Sequence, residues 1–156
     1  KGSFYYYFGS KEDFGLQVIE FYEQTNRERV NQFLSDTTRP PLERLKAYFE
    51  ANIIYLGRFN FSCGCLLGDL GQEMSGQNEN FRVRVNQALV SWTEDVEVCL
   101  REAQAAGQLA PDADVRLLAE FCLNSWQGAI LRMKAEKSPQ PLETFIQVVF
   151  NTVLRG

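Results

Sequence analysis

Four cysteines and no histidine limit the chemistry open to this chain. Cys63 and Cys65 are separated by Gly64 alone, closer than the two to four intervening residues that zinc-ligand pairs favour. A metal site would have to rely on thiolates and carboxylates, so neither a metal nor a cofactor is expected. Thiol chemistry remains. Cys65 precedes Leu66-Leu67-Gly68-Asp69 and is expected at a helix start, where backbone N–H groups favour a reactive thiolate. Arg58 is the nearest cation in sequence, and Asp69, one turn on, opposes it. Cys63 is the candidate resolving thiol, although a ring spanning one residue is strained. The plainer reading makes a free cysteine a small buried hydrophobe. Cys99 and Cys122, on apolar helical stripes, are read that way.

Catalysis finds no other footing. There is no Gly-rich phosphate loop and no nucleophile elbow. Asp69/Glu73 and Glu94/Asp95/Glu97 are acidic groupings of the kind that usually form solvated helix faces. The chain is not expected to be an enzyme. It has 156 residues, 45% of them apolar and 23% charged, as in an ordinary globular protein. That is enough for one domain with a real core. The cysteines are sparse and no signal peptide precedes them, which reads as a reduced, cytoplasmic protein. No apolar run approaches the roughly 20 residues of a membrane span. The net charge of −4 argues against a nucleic-acid footprint in these residues, since such a footprint is basic.

The elements that position these groups are helical. Ser10-Lys11-Glu12-Asp13 is a near variant of the capping box. Behind it Phe14, Val18, Phe21 and Tyr22 recur at helical spacing, and the helix is expected to run to about Leu34. Pro40-Pro41 opens the next helix, with Leu42, Leu45, Phe49, Ile53 and Leu56 on one face. A short element is expected over Leu66 to Met74. Asn78 or Asn80 caps the longest helix, which ends near Gly107. Asp112 is the expected cap of a helix from Ala113 to Glu136, and a last helix is expected from Pro141 to Leu154. The fold class is all-α, with five or six helices after a short N-terminal stub. Phe4 to Phe8 is β-prone in composition, but no strand pattern is present.

The last two helices are apolar on two sides. Val115, Ala119, Cys122, Trp126, Ala129, Ile130 and Met133 form one stripe of the first. Leu117, Phe121, Gly128 and Leu131 form a second. Phe150 and Leu154 flank the main stripe of the final helix. A helix apolar on two sides must be covered on two sides. A homodimer with a four-helix interface supplies the second cover, with those six residues as its candidates. The competing arrangement places both helices in the middle of a monomer.

Residues 1–14, Lys-Gly-Ser-Phe-Tyr-Tyr-Tyr-Phe-Gly-Ser-Lys-Glu-Asp-Phe, resemble the end of the TetR-family helix-turn-helix. That family's recognition helix commonly reads Lys-Gly-Ser, then Phe or Leu, Tyr, two positions of Tyr or His, and Phe. A short turn and Ser-Lys-Glu follow. The resemblance implies a DNA-binding transcriptional repressor. Residues 1–9 would close its DNA-binding domain, and 10–156 would form an all-α domain that binds an effector and dimerises. It implies roughly 30–50 further residues upstream, as a helix-turn-helix with one supporting helix requires. The sequence also opens without an initiator Met. Lys1, Gly2 and Ser3 would approach bases or phosphates. Tyr5 and Tyr6 could bond phosphate oxygens, contacts that position without specifying. Lys11 would meet a phosphate at the next helix start. Alone, these residues are expected to bind DNA poorly, because an acidic body repels phosphates.

Cys63-Gly64-Cys65-Leu66-Leu67-Gly68-Asp69-Leu70, with Glu73 and Asn80-Phe81-Arg82, resembles one branch of that family. There a Gly-Cys-Leu segment opens the short sixth helix, and some members sense electrophiles or oxidants through the matching cysteine, here Cys65. The family generally binds its effector among the helices that correspond to 14–34, 42–58, 79–106 and 113–136. Polar residues on apolar stripes are the clues within them, since buried polar groups need partners. Asn52 lies on the Leu45/Phe49/Ile53/Leu56 side, Asn124 and Gln127 neighbour Trp126, and Trp92 and Trp126 offer flat surfaces with one N–H donor each. Phe49 and Ile53 are the expected walls. With 13% aromatic residues, the expected effector is an apolar or aromatic small molecule. Two readings compete with effector-released repression from a palindromic operator: thiol-based sensing through Cys65, and an all-helical ligand-binding protein that never touches DNA.

Overall fold

The computed structural model describes residues 9–155. The DNA-contact candidates Lys1, Gly2, Ser3, Tyr5 and Tyr6 lie outside these residues. Six α-helices follow one another: α1 (Lys11–Leu34), α2 (Pro41–Gly57), α3 (Leu66–Met74), α4 (Glu79–Ala105), α5 (Val115–Glu136) and α6 (Gln140–Val148). A π-helical turn, Val149–Val153, extends α6. No strand occurs among the described residues.

The helix ends obey local chemistry. Ser10 Oγ accepts from the Asp13 N–H at 3.0 Å. The Asp13 carboxylate reaches back to the Gly9 N–H at 3.2 Å, so the capping box closes one residue earlier than its standard form. Pro41 starts α2, where its missing N–H costs nothing. Asn78 caps α4 by accepting from Phe81 N–H at 3.1 Å. That helix stops at Gly107, whose φ of 73° is the left-handed conformation a glycine adopts freely. The Gln108 N–H reaches the Ala103 carbonyl and the Gly107 N–H that of Gln104, at 2.8 and 3.0 Å, the paired bonds of a Schellman stop. α5 departs from expectation. Asp114 caps it, not Asp112, accepting from Leu117 N–H at 3.0 Å. Residues 111–114 are spent on a turn closed by Ala113 N–H to the Ala110 carbonyl.

α1, α2, α4 and α5 enclose one core, with α3 against α4 and α6 against α5. Trp126, Tyr48, Phe49, Ile19, Leu45, Leu100 and Met133 are fully buried there. Phe49, Trp126 and Phe145 stack edge-to-face or tilted at centroid distances of 4.8 to 5.0 Å. This aromatic triad binds α2, α5 and α6 into a unit. α1 approaches α4 at Gly15, where a Cβ would lie 2.4 Å from the Phe81 ring. A side chain at that point would require the Phe81 ring or the helices to shift.

Candidate functional site

A cavity of about 270 Å³ opens between α1, α2, α4, α5 and the 58–65 loop. α1 contributes Tyr22, Asn26 and Arg29; α2 contributes Asn52, Tyr55 and Leu56; the loop contributes Phe59, Cys63, Gly64 and Cys65. Trp92 of α4 and Trp126 and Ile130 of α5 complete it. Of the residues singled out in the sequence, Asn52, Trp92 and Trp126 line this cavity together. Gln127 abuts the site through Cys65: its Nε2 donates to the sulfur at 3.4 Å. Phe49 stands behind Trp126. Ile53 does not line the cavity, because one residue turns an α-helix by about 100° from the Asn52 direction.

Asn52 is held for a purpose. Its Nδ2 donates to the Tyr48 carbonyl at 2.8 Å, which turns its Oδ1 toward Arg29 Nη1 at 3.3 Å. The Arg29 guanidinium also lies 4.2 Å above the Tyr55 ring, a cation–π contact. The buried Tyr48 hydroxyl donates to Asn26 Oδ1 at 3.5 Å, and burial raises its pKa. The Trp92 Nε1–H is buried without a hydrogen-bond partner, although it is close enough to the Tyr48 hydroxyl to weigh on its ionisation.

Cys65 forms the N-cap of α3 and is buried. Its sulfur accepts from Gln127 and from the Tyr22 hydroxyl, the latter at 3.7 Å. Burial, then the adjacent sulfur, raises the Tyr22 pKa. Asp69, the anion that opposed Cys65 in the sequence reading, is instead paired to Lys134 at 2.9 Å. The loop that presents the thiol carries two consecutive non-glycine residues at positive φ, Asn60 and Phe61 at 51° and 54°. Strain of about 1–3 kcal/mol per residue is typical of such positions.

The second feature is a bare face. Leu117, Phe121, Gly128 and Leu131 are all exposed on α5, with Leu117 at 62%. Asn124 falls in the same stripe and is exposed. Steps of four and three residues return to one side of a helix, so Asn124 belongs to this face and not to the cavity. A groove of about 390 Å³ runs from Phe121 and Gly128 to Thr144 and Val148 of α6. Leu154 is corrected as an interface candidate, since it is buried in the chain's own core. The Leu154 N–H bonds to the Val149 carbonyl five residues back. The extra residue in that turn rotates Leu154 inward, to where a regular helix would place residue 153. Phe150 is half-buried, its ring 6.3 Å from that of Phe49, and Val148 takes the exposed position.

Residues 41–149 match the model of the "Tetracyclin repressor-like, C-terminal domain" family. The chain belongs to the TetR family of transcriptional regulators. This TetR-family chain is 41% identical over 145 residues to the transcriptional regulator AcuR of Cereibacter sphaeroides, covering 93% of itself and 66% of the relative. It is 38% identical to the HTH-type transcriptional repressor DhaR of a Mycobacterium species, covering 99% of itself and 76% of that protein. The chain thus spans about two thirds to three quarters of the length of these relatives. Among solved structures, it superposes on a regulatory protein TetR from Rhodobacter sphaeroides with a TM-score of 0.93 at 40% identity, covering 97% of this chain and 80% of that one. With the reduced form of Escherichia coli NemR the TM-score is 0.83 at 28% identity, over 97% and 78%.

Sequence reasoning missed Arg29, Tyr22, Asn26 and Tyr55 in the TetR-family cavity. Arg29 alone left a signal: a cation three residues from Asn26 on the helix that carries Tyr22. Among the described residues no cluster of three His, Cys, Asp or Glu side chains is placed to hold a metal ion. No described helix is long and apolar enough to cross a membrane.

The four thiols divide by environment. Burial pushes Cys99 up to about 11 and Cys122 up to about 12, whereas Cys63 and Cys65 line the cavity. Iodoacetamide at pH 8, followed by peptide mass mapping, is expected to modify Cys63 or Cys65 and to spare Cys99 and Cys122 until the chain is denatured. Native labelling of Cys122 would contradict this packing. Both raised thiols hold their protons longer folded than unfolded. Their contribution is complete below the ordinary thiol value of 9.0 and is lost as pH rises toward 11–12.

Proposed function

We propose that this chain is the effector-binding and dimerising part of a DNA-binding transcriptional repressor, released from a palindromic operator by a small molecule held in the α1/α2/α4/α5 cavity. The carrying observation is that α1 supplies Tyr22, Asn26 and Arg29 to the cavity and is the helix that follows residues 1–9. A ligand that prefers one tilt of α1 sets the position of whatever precedes it. Only such a differential preference shifts an equilibrium. Two reading heads on two-fold DNA must sit about 34–36 Å apart, so a small pivot of α1 spoils the fit. Lys1, Gly2, Ser3, Tyr5 and Tyr6 would serve the groove and backbone. Lys11, exposed in the first turn of α1, would serve a phosphate. The names of DhaR and NemR as repressors support repression.

A second reading has its own observation. The Cys65 sulfur lies on the cavity wall between two donors, placed to meet an electrophile that enters there. One titration separates the readings. The protein with a complete helix-turn-helix ahead of this chain is added to labelled DNA from its own upstream region, at two salt concentrations, with and without a thiol-reactive electrophile. Tight, salt-sensitive binding of one dimer per site supports the repressor. Loss of binding with the electrophile, spared by Cys65→Ser, supports thiol sensing. No specific binding to any upstream fragment would overturn the DNA-binding reading.

A further inference from the structure

Four arginines among the described residues are not exposed: Arg29, Arg44, Arg84 and Arg116. Three of them have carboxylate partners, Glu102 for Arg44, Glu23 for Arg84, and Glu97 and Glu120 for Arg116. Among the described residues Arg29 has no carboxylate within ion-pair distance, and no Asp or Glu lines its cavity. Arg29 is partly buried, and a cation held there without a counter-charge is a natural partner for an anion. Its contacts are the neutral Asn52 oxygen and the Tyr55 ring, neither of which carries a charge. The nearby Trp92 N–H is buried and makes no hydrogen bond beyond its approach to the Tyr48 hydroxyl, so the cavity presents donors and no anionic acceptor.

We infer that the cavity is a receptor for a compact organic monocarboxylate, its charge bound by Arg29 and its apolar body held by Trp126, Leu56, Ile130 and Phe59. This deepens the effector reading above and rests on it. A guanidinium binds a carboxylate or a phosphate through parallel N–H bonds. Here one guanidinium balances one charge. A phosphate group near pH 7 carries about −1.5 to −2 and would leave charge unpaired against aromatic walls. The volume of about 270 Å³ equals that of roughly nine liquid waters, which sets the size class. A pocket of about 210 Å³ shares Tyr22, Asn26, Arg29 and Tyr55 with the cavity and reaches the exposed Phe21 and Thr25. Arg29 thus borders both spaces. Aromatic richness suggests the body of such a ligand; that Arg29 has no carboxylate beside it is a feature of the fold.

The test titrates butyrate, benzoate, their uncharged amides and inorganic phosphate into the full chain, read by tryptophan fluorescence and calorimetry. The acids are expected to bind, the amides at least tenfold more weakly, and phosphate not at all. Arg29→Gln should weaken the acids roughly 10- to 100-fold, the value of a charged hydrogen bond, and Arg29→Lys should restore part of that. Asn52→Asp supplies the missing carboxylate internally. With its helical signal and melting profile intact, it should also lose the acids, which decides the matter if Arg29→Gln fails to fold. Amides or phosphate binding as tightly as the acids, no binding by any acid, or unchanged affinity in both variants would overturn the inference. Operator release in the complete protein separates the two levels. Acids that bind without releasing DNA sink the effector reading and leave the anion site standing. Release by amides but not acids sinks the anion site and leaves the effector reading.

Discussion

Leu131→Glu is expected to convert the proposed dimer into a folded monomer and, in a protein with a complete helix-turn-helix, to abolish tight operator binding. Leu131 is 52% exposed on the bare α5 face, and glutamate is a good helix former, so the fold of one chain should be unaffected. In a two-fold interface each substitution occurs twice. Covering a leucine contributes roughly 1.5–3 kcal/mol, and a buried unpaired carboxylate adds a penalty of its own. The dissociation constant should therefore rise at least 100-fold. Sedimentation velocity across a concentration series, with far-ultraviolet circular dichroism as the folding control, reads this directly. Undiminished dimer would move the interface off the Leu117/Phe121/Asn124/Gly128/Leu131 stripe. DNA binding should fall with dimerisation, because one head alone reads only half of a palindrome.

Trp126→Ala is expected to bring the largest loss of stability. Trp126 is 1% exposed, packs on Phe49 and Phe145, and belongs to the cavity wall. Truncating a buried tryptophan costs about 3–5 kcal/mol, a large share of the 5–15 kcal/mol typical of a domain. At roughly 2–4 °C per kcal/mol for a chain of this size, the melting temperature should fall by about 6–20 °C. A thermal melt against the unsubstituted chain checks it. A drop under about 2 °C would mean that the aromatic triad does not join α2, α5 and α6 as described. Leu131→Glu and Trp126→Ala act on opposite sides of one helix, so their effects should separate cleanly: assembly without stability of the fold in the first, stability of the fold in the second.

Much of this architecture was legible in the residues alone. Ser10, Pro41, Asn78 and Gly107 mark helix ends, because caps and stops depend on one residue and its immediate neighbours. The stripe Val115 to Met133 was buried as read, since helical periodicity alone assigns a face. The 14-residue stretch at the start and the 63–70 segment carried the family. The sequence points to Asp112 as the cap of α5, but the turn that closes residues 110–113 passes that role to Asp114. The inward rotation of Leu154 required a π-helical turn, which arises from packing and leaves no periodic trace. Asn124 was assigned to the cavity because it neighbours Trp126 in sequence, yet two residues along a helix point to different sides. The ligand site was least visible of all. Arg29, Asn52 and Trp92 are far apart in the chain, and whether a cation has a carboxylate beside it is a fact of three-dimensional packing. Sequence by itself determined the helices, most of their apolar faces and the family; the tertiary structure alone decided which polar groups share the cavity, because burial and pairing depend on contacts between residues distant in the chain.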